Sequence, residues 1–503
     1  MAGKLLGLVG SLRNVVRGDL GERLVDDLRR IDEKDTLLEY LKINSRLPAE
    51  SYFEPLQSVP DSLLGIYKGL RKRKAEKGMS NSEVALAGAL WAAQKMGVEV
   101  EYQSLRDYFS PSEKKRNVKR LMSKIDEADG LLLSGPVYFG DRGSLIHMLI
   151  RTLRAEKDCE ERMRGKFYGG IAVGAKRNGG QETTLIYQVL DMSMLGCLAV
   201  GNDSDTTAQY GGTCHAGDVG VMHKDLYGID TAMGTGRRLA SLIDMRQKKA
   251  KLKDKVKVLF LILQDAGGLA SEYVDALCGK FGGMMSPTVI DATKLKIVRC
   301  IACDVCPAKL DVDEVYRCVI GEADDFEGIH RSLLDHDAIV PVAVSLNDVS
   351  KIKTNYQVFL ERTRYLRRGD YVFSNVMLSP LVLQEIGCME HLYIRMITSL
   401  IRQHTVVSKP LVGHLSGGEI LNEASVEADF EVFLAEAKSL AESRLKSALE
   451  GIAATQYRPV GYVLDTEKDK EHEILTKREQ MVRKRAERIT REARRRLAQS
   501  RSK

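Results

Sequence analysis

Nine cysteines in 503 residues is few, and five of them (Cys159, Cys197, Cys214, Cys278 and Cys388) are scattered without a pairing pattern. That excludes a disulfide-stapled secreted scaffold and points to a reducing compartment. Long apolar runs are missing as well. Val258–Leu263 is strand-sized, far below the ~20 residues that a membrane helix needs. The opening Met1-Ala2-Gly3-Lys4-Leu5-Leu6 is too short and too weakly charged to be expected as a signal peptide. The nine histidines show no metal-ligand spacing. A cytoplasmic protein is the expectation, and the length implies two or three domains rather than one core.

A general excess of positive charge is also absent. The net charge is +7, yet residues 475–503 alone hold twelve Lys/Arg and three Glu, a net of +9. The body is therefore neutral to slightly acidic and does not read as a nucleic-acid binder. The basic tail, with Arg483-Lys484-Arg485 and Arg494-Arg495-Arg496, reads either as a docking helix for an acidic partner, nucleic acid or an anionic membrane face, or as a solvated helix.

Against this background the remaining four cysteines stand out. Cys300-Ile301-Ala302-Cys303-Asp304-Val305-Cys306-Pro307 sets three thiols at i, i+3 and i+6, and Cys318 follows after eleven residues. Such spacing lets one tight loop wrap a corner of an iron–sulfur cube while a fourth thiol completes the set. Zinc is the rival ligand, but its structural sites usually use two separated Cys-x2-Cys hairpins, and the second is missing. Four unrelated buried cysteines are the remaining alternative.

Along the chain, strands and helices alternate. Lys4–Gly10 reads as a buried strand running into Ser11-Leu12-Arg13. Residues of about 14–77 are charged and helix-prone and read as an insertion. Gly78-Met79-Ser80-Asn81-Ser82-Glu83 then starts a helix. Ser11, Arg13, Ser80, Asn81 and Ser82 are expected to form one phosphate-binding loop in two halves. The alternative is that Ser80 or Ser82 merely caps the helix. Val98–Tyr102 is the next strand, and residues 112–128 form a charged helix. The strand Gly130–Leu133 opens into Ser134–Gly140, a loop with Pro136, Val137, Tyr138, Phe139 and Gly140. An aromatic there can lie against a planar ring, at the strand end where open α/β sheets bind ligands. Tyr168–Val173 leads into a loop with Gly174, Arg177, Gly179, Gly180 and Gln181, where glycines allow close approach and Arg177 and Gln181 offer donors. The strand Leu198–Val200 precedes a further loop with Tyr210, Gly211, Cys214 and His215. The Cys214-His215 pair is a weak redox-thiol candidate.

Three of these segments resemble the flavodoxin-like NADPH-dependent FMN reductase and iron–sulfur flavoprotein group. They are Gly10–Arg13 (Gly-Ser-x-Arg), Ser134–Gly140 (Ser-Pro-x-Tyr-x-Gly, with Gly135 inserted) and Arg177–Glu182 (Arg-x-Gly-Gly-Gln-Glu). The resemblance covers most of residues 4–12 and 78–242; the insertion departs from it. It implies that these loops surround FMN, with NAD(P)H as electron donor. It also implies Cys300, Cys303, Cys306 and Cys318 as ligands of a [4Fe-4S] cluster, although the last gap is longer than the family's usual one.

A second strand-first segment begins at Val256–Leu263, followed by a helix near Ser271–Phe281 and strands at Pro287–Asp291 and Ala338–Val344. Gln264-Asp265-Ala266-Gly267-Gly268 stands where a phosphate loop would be, and Asp265 would repel phosphate. Ser345-Leu346-Asn347-Asp348 has neither the proline nor the tyrosine of its counterpart. Tyr371–Val376 and Thr405–Val407 are strand-like, and Glu423–Glu450 reads as a long amphipathic helix.

The expected fold class is α/β, with two flavodoxin-like doubly wound parallel-sheet domains in tandem, a helical insertion and a basic C-terminal helix. Residues 1–248 would carry FMN, 249–464 the cluster in a degenerate second domain, and 465–503 the basic tail. The expected function is a flavin- and iron–sulfur-dependent oxidoreductase acting with a redox partner or small-molecule acceptor, in a homo-oligomer. No catalytic acid or base is named, because the cofactor carries the hydride chemistry. The alternatives are an electron-carrier subunit docking through its tail, and a sensing or structural protein with a stabilising cluster.

Overall fold

The computed structural model describes residues 3–13, 19–45, 62, 65, 78–109, 117–203, 206, 208–252, 254–303, 316, 318–366, 371–450, 483 and 486–498. The chain divides into two compact units, Met1–Asp244 and Met245–Lys503.

The first unit is built on β1 (Lys4–Val9), whose residues after Lys4 are all buried. A continuous apolar run of this kind suits a parallel strand covered on both faces. Leu5, Leu6, Leu8 and Val9 are fully buried, each worth roughly 1.5–3 kcal/mol against exposure. Helices α1 (Asp19–Arg30) and α2 (Lys34–Ile43) form the described part of the insertion. They pack near α3 (Asn81–Lys95), and the indole N–H of Trp91 donates to the Ile31 carbonyl at 2.8 Å. The ends of the excursion meet: Ser45 and Met79 form a parallel bridge, and Met79 N–H donates to Asn44 O at 2.6 Å.

Next come β2 (Glu99–Ser104), α4 (Val118–Glu127), β3 (Gly130–Tyr138), β4 (Asp141–Arg142), α5 (Ser144–Arg154), β5 (Phe167–Gly174), α6 (Gln181–Met194), β6 (Leu198–Ala199), β7 (Gly212–His215) and α7 (Leu226–Gln247). The parallel order is β2-β1-β3-β5, with β6 and β7 both on the far side of β5. This is the flavodoxin-like order 2-1-3-4-5, its fifth strand in two pieces. Two expected loops are partly strand. β3 continues to Tyr138 because Ser134, Gly135 and Pro136 keep their register with Ile171, Ala172 and Val173. Pro136 lies beyond Val9↔Ser134, the last pair with β1, so its missing N–H costs no bond on that side. Gly212–His215 likewise pairs with Ile171–Gly174 instead of looping free.

The second unit contains β8 (Val256–Asp265), α8 (Leu269–Phe281), β9 (Met285–Asp291), β10 (Ala338–Ser345), β11 (Lys353–Thr354), α9 (Tyr356–Arg362), β12 (Met377–Leu378), β13 (Leu381–Glu385), α10 (Leu392–Leu400), β14 (Val406–Val407), β15 (Leu411–Ser416), β16 (Glu419–Ile420) and α11 (Glu423–Leu449). Its parallel order is β9-β8-β10-β13-β15, with β12 continuing β13's side of β10. The same 2-1-3-4-5 order thus occurs twice. Phe260, Phe281, Phe430 and Phe433 form an aromatic core, with ring centroids 5.2–6.0 Å apart. The strand reading of Tyr371–Val376 fails. Tyr371 (φ +53°) and Asn375 (φ +60°) are left-handed, which no strand accommodates, and only Met377–Leu378 pairs.

Part of the basic tail is neither a free docking arm nor a solvated helix. Residues 486–498 are helical, and Ala493 is buried with Leu252, Ala441, Leu445 and Ala448. Arg496 grips the buried Asp337 through two bonds of 3.0 and 2.6 Å, and Arg488 pairs with Asp335 at 3.0 Å. The run Lys484-Arg485 and residues 465–482 lie outside the described residues.

Candidate functional site

At the C-terminal end of β1, the two halves of the expected phosphate loop converge on Ser134. Gly10 N–H donates to Ser134 O at 2.8 Å, and the Ser134 hydroxyl donates to Ser82 O at 2.9 Å. Ser11 is buried, and its hydroxyl accepts from Arg13 N–H at 3.2 Å. Ser80 is the N-cap of α3: its hydroxyl accepts from Glu83 N–H at 3.2 Å while Glu83 accepts from Ser80 N–H at 2.7 Å. Its side chain is therefore committed to the helix. Glu83 is fully buried and also accepts from Tyr102 at 2.6 Å. Asn81 reaches the 218–222 segment, donating to Asp218 O at 2.8 Å and accepting from Met222 N–H at 3.3 Å.

Gly135, inserted relative to the motif, is there for space. A β-carbon on it would lie 2.4 Å from Ile146 Cδ1 on α5. Beyond Pro136 and Val137, Tyr138 and Asp141 pair across a two-residue turn, Phe139-Gly140, with both turn residues at positive φ. Tyr138 is half-exposed, and Phe139 at the tip is fully exposed. The hairpin meets the 174–181 loop backbone to backbone. Gly180 has φ +98°, and a β-carbon there would lie 2.7 Å from Gly140 Cα.

The donors expected from this loop are partly used inside it. Arg177 pairs with Asp225, donates to Thr213 O at 3.1 Å and lies over the Tyr227 ring. The Gln181 amide N–H2 donates to Lys176 O at 2.7 Å and Cys214 O at 3.1 Å, over Gly174. That leaves Gln181 Oε1, buried and without a hydrogen-bond partner, as does Thr184 Oγ1 one turn on. Gly179 sits close over Lys176 O, and Gly211 over Gly170 O; Tyr210 is half-buried. Cys214 is no activated thiol. It is fully buried, donates to Gly228 O at 3.2 Å, and burial pushes its pKa far up, with Asp225 adding to the shift.

In the second unit the matching strand end holds its own anion. Asp265 accepts from Ala266 N–H at 2.7 Å, Ala270 N–H at 2.8 Å and the Ser271 hydroxyl at 3.1 Å. A carboxylate thus sits at the N-terminus of α8, where a phosphate would otherwise meet the helix dipole. On the neighbouring strand, Ser345 donates to Glu390 at 3.1 Å and Asn347 N–H to Glu385 at 2.7 Å.

Of the cysteine ligands expected from sequence, Cys300, Cys303 and Cys318 are described, and Cys306 lies outside the described residues. The three are free thiols, with Cys303 exposed and Cys300 and Cys318 partly so. Among the described residues no three His, Cys, Asp or Glu side chains are gathered into a metal site. The donor chemistry nevertheless suits a thiolate-bound iron–sulfur group, because the set contains thiols alone. Ala302, between two of the cysteines, has φ +52°, a conformation of roughly 1–2 kcal/mol cost for a residue with a β-carbon. Both ends of the loop are fastened by Arg362. It donates to Val298 O at 2.7 Å and to the Tyr316 hydroxyl, and pairs with Asp324, both side chains being almost wholly buried. Sequence reading missed Arg362, Asp324 and Tyr316. Nothing local in the sequence links Arg362 to a loop some 60 residues away.

The fold and the loops together define a flavodoxin-like protein. A family model described as NADPH-dependent FMN reductase matches residues 63–204. An iron–sulfur flavoprotein of Methanocaldococcus jannaschii is 34% identical over 181 residues, covering 33% of this chain and 93% of that protein. One from Archaeoglobus fulgidus is 26% identical over 168 residues, 30% of this chain and 83% of that protein. A solved structure described as a flavodoxin, WrbA-like protein from Agrobacterium tumefaciens has 12% identity and a TM-score of 0.25, covering 48% of this chain and 98% of that one. The chain belongs to the iron–sulfur flavoprotein family.

Proposed function

We propose that this chain is an FMN- and iron–sulfur-dependent oxidoreductase, with FMN in the first unit and a [4Fe-4S] cluster on Cys300, Cys303, Cys306 and Cys318 in a second, degenerate unit of a tandem. The observation that carries the flavin assignment is the junction of the Tyr138–Gly140 hairpin with Gly180, above the buried, partnerless Gln181 Oε1. A buried acceptor without a donor costs about 1–3 kcal/mol, and a ligand N–H would satisfy it. Gly10–Arg13 and Asn81–Ser82 would hold the phosphate end, Val137 and the aromatic Tyr138 and Phe139 would flank the ring, and Gln181 would orient its polar edge. Arg177 would act indirectly, by fastening its loop to Asp225. Asp265 supports placing the flavin in the first unit only, since the second keeps a carboxylate where the phosphate would bind.

FMN would supply two-electron hydride acceptance and one-electron release, and the cluster single-electron transfer. NAD(P)H is the proposed donor, and a redox partner or small molecule the acceptor. The protein would work in the cytoplasm as a homo-oligomer, and the outward Arg491, Arg494 and Arg495 would meet an acidic partner. Anaerobic purification with a visible spectrum and FMN, iron and sulfide assays tests the reading. About four irons per chain with flavin bands support it, as does a Cys303→Ala variant that keeps flavin and loses iron. Iron without flavin removes the FMN assignment, and zinc in place of iron removes electron transfer from the cysteine site.

A further inference from the structure

The C-terminal helix, residues 486–498, turns one face inward and leaves the other bare. Inward, Ile489, Ala493 and Leu497 follow one another at a spacing of one turn. They pack with Leu252, ahead of β8, and with Ala441, Leu445 and Ala448 of α11. The Thr490 hydroxyl donates to Ala448 O at 2.7 Å. Arg488 and Arg496, only 11% and 12% exposed, pair with Asp335 and Asp337. Outward stand Glu487, Arg491, Arg494, Arg495 and Ala498, all exposed. Among the described residues no carboxylate holds Arg491 or Arg494. Glu492 reaches Arg495 only at 4.0 Å, a surface contact of little worth. Three guanidinium groups therefore share one turn of a helix whose position is already fixed by its other face, which lowers the ordering cost of binding.

The chemistry of the outward face narrows its partner. It has no large apolar side chain to sink into an acyl layer, and no aromatic anchor of the kind that dominates protein–protein binding or stacks unpaired bases. It offers cations alone, and their planar forks match phosphate oxygens two at a time. Its place in the fold points the same way. Asp335 and Asp337 precede β10, so the helix lies at the N-terminal edge of the second sheet. The cysteine segment instead leaves the C-terminal end of β9, where Asn355 donates to Ala292 O and Leu295 O at 2.8 and 3.0 Å. β8, ten residues long, separates the two edges by roughly 30 Å. That position suits an anchor better than a dock for electron exchange. We propose that Arg491, Arg494 and Arg495 bind the phosphate backbone of double-stranded nucleic acid without reading its sequence. This rests on the reading of these arginines as a face for an acidic partner, and not on the cofactor assignments. The rest of the chain carries a slight negative surplus, so the affinity is expected to be modest and strongly salt-dependent.

The test is fluorescence anisotropy of the purified full chain with a short labelled duplex of mixed sequence. The parent should bind with a Kd on the order of 10⁻⁴–10⁻⁶ M at physiological salt, and three phosphate contacts should weaken it roughly 40-fold between about 50 and 200 mM salt. The triple variant Arg491→Ala/Arg494→Ala/Arg495→Ala should reduce the slope of log affinity against log salt by about 2.7, equally for duplexes of different sequence. Alanine is the best helix former, so ellipticity, FMN and iron should stay at parental levels. Lys351→Ala, an exposed cation beyond the far end of β10, is the control and should keep the parental slope. A triple variant with the parental slope overturns this inference. So does a parent that binds single strands, polyglutamate or anionic-lipid vesicles more tightly than the duplex, and these results leave the acidic-partner reading standing. A parent that binds none of these probes overturns that reading as well.

Discussion

Gly140 and Gly180 approach so closely that a single β-carbon on Gly180 would fall 2.7 Å from the Gly140 Cα. Two loops that are 40 residues apart in sequence are thereby locked into one wall of the candidate flavin site.

Gly180→Ala should therefore loosen that wall. The φ of +98° and the backbone clash together predict a stability loss of roughly 1–3 kcal/mol. FMN affinity should fall with it. Fluorescence titration of FMN and a thermal melt check both; an alanine variant with parental affinity would falsify the role given to this contact.

Asp265→Asn tests the carboxylate at the start of α8. It keeps the acceptor for Ala266 and Ala270 N–H, leaves Ser271 to its other acceptor Asp291, and removes the charge from the helix N-terminus, so the cost should be small, about 0.3–1 kcal/mol. Asp265→Ala removes the acceptor for Ala266, Ala270 and Ser271 as well and should cost about 1–2 kcal/mol. Urea unfolding of the two variants separates charge from bonding.

Asp337 predicts an acid-sensitive second unit. Burial by itself raises its pKa, but bonding to Arg496 and the nearby charges of Arg496 and Arg444 outweigh this and hold it below the ordinary 3.8. A depressed folded-state value contributes stability that is complete above the unfolded value and lost as pH falls through the folded one. The loss should therefore lie below about pH 4. Arg496→Ala should cost roughly 3 kcal/mol at neutral pH by leaving a buried carboxylate with weaker compensation. It should also flatten the acid limb, read by denaturant melts between pH 3 and 7.

Excising residues 46–77 and joining Ser45 to Gly78 through a short Gly/Ser linker should keep the first unit folded. The ends already meet at the Ser45–Met79 bridge, so the closure costs little. Trp91, which is bonded to Ile31 in the retained part, is the probe: its emission and the FMN affinity should match the parent. A red-shifted Trp91 would contradict this.

The first strand of each unit was legible because buried parallel strands are continuous apolar runs, as in Leu5–Val9 and Val256–Leu263, whereas β7, β13 and β15 were not read as strands. α3 was legible from its capping residues and spacing, and α11 from its amphipathic pattern. Tyr371–Val376 misled because its apolar composition says nothing about the left-handed turns at Tyr371 and Asn375. Ser134–Tyr138 misled in the opposite way, since Gly-Pro reads as a loop until a neighbouring strand supplies register.

Sequence alone determined which residue types stand at the strand ends: the three Gly-rich loops, the acidic replacement at Asp265 and the clustered thiols. These are chemical identities, and composition and spacing carry them. Tertiary structure alone decided what each side chain is free to do. Arg177 is turned to Asp225, Gln181 keeps only its acceptor, Arg496 is buried against Asp337, and Arg362 reaches from α9 to tie Val298 and Tyr316 beside the cysteines. The long-range partners among these lie 33 to 159 residues away. Long-range partners are chosen by packing, which no local pattern encodes.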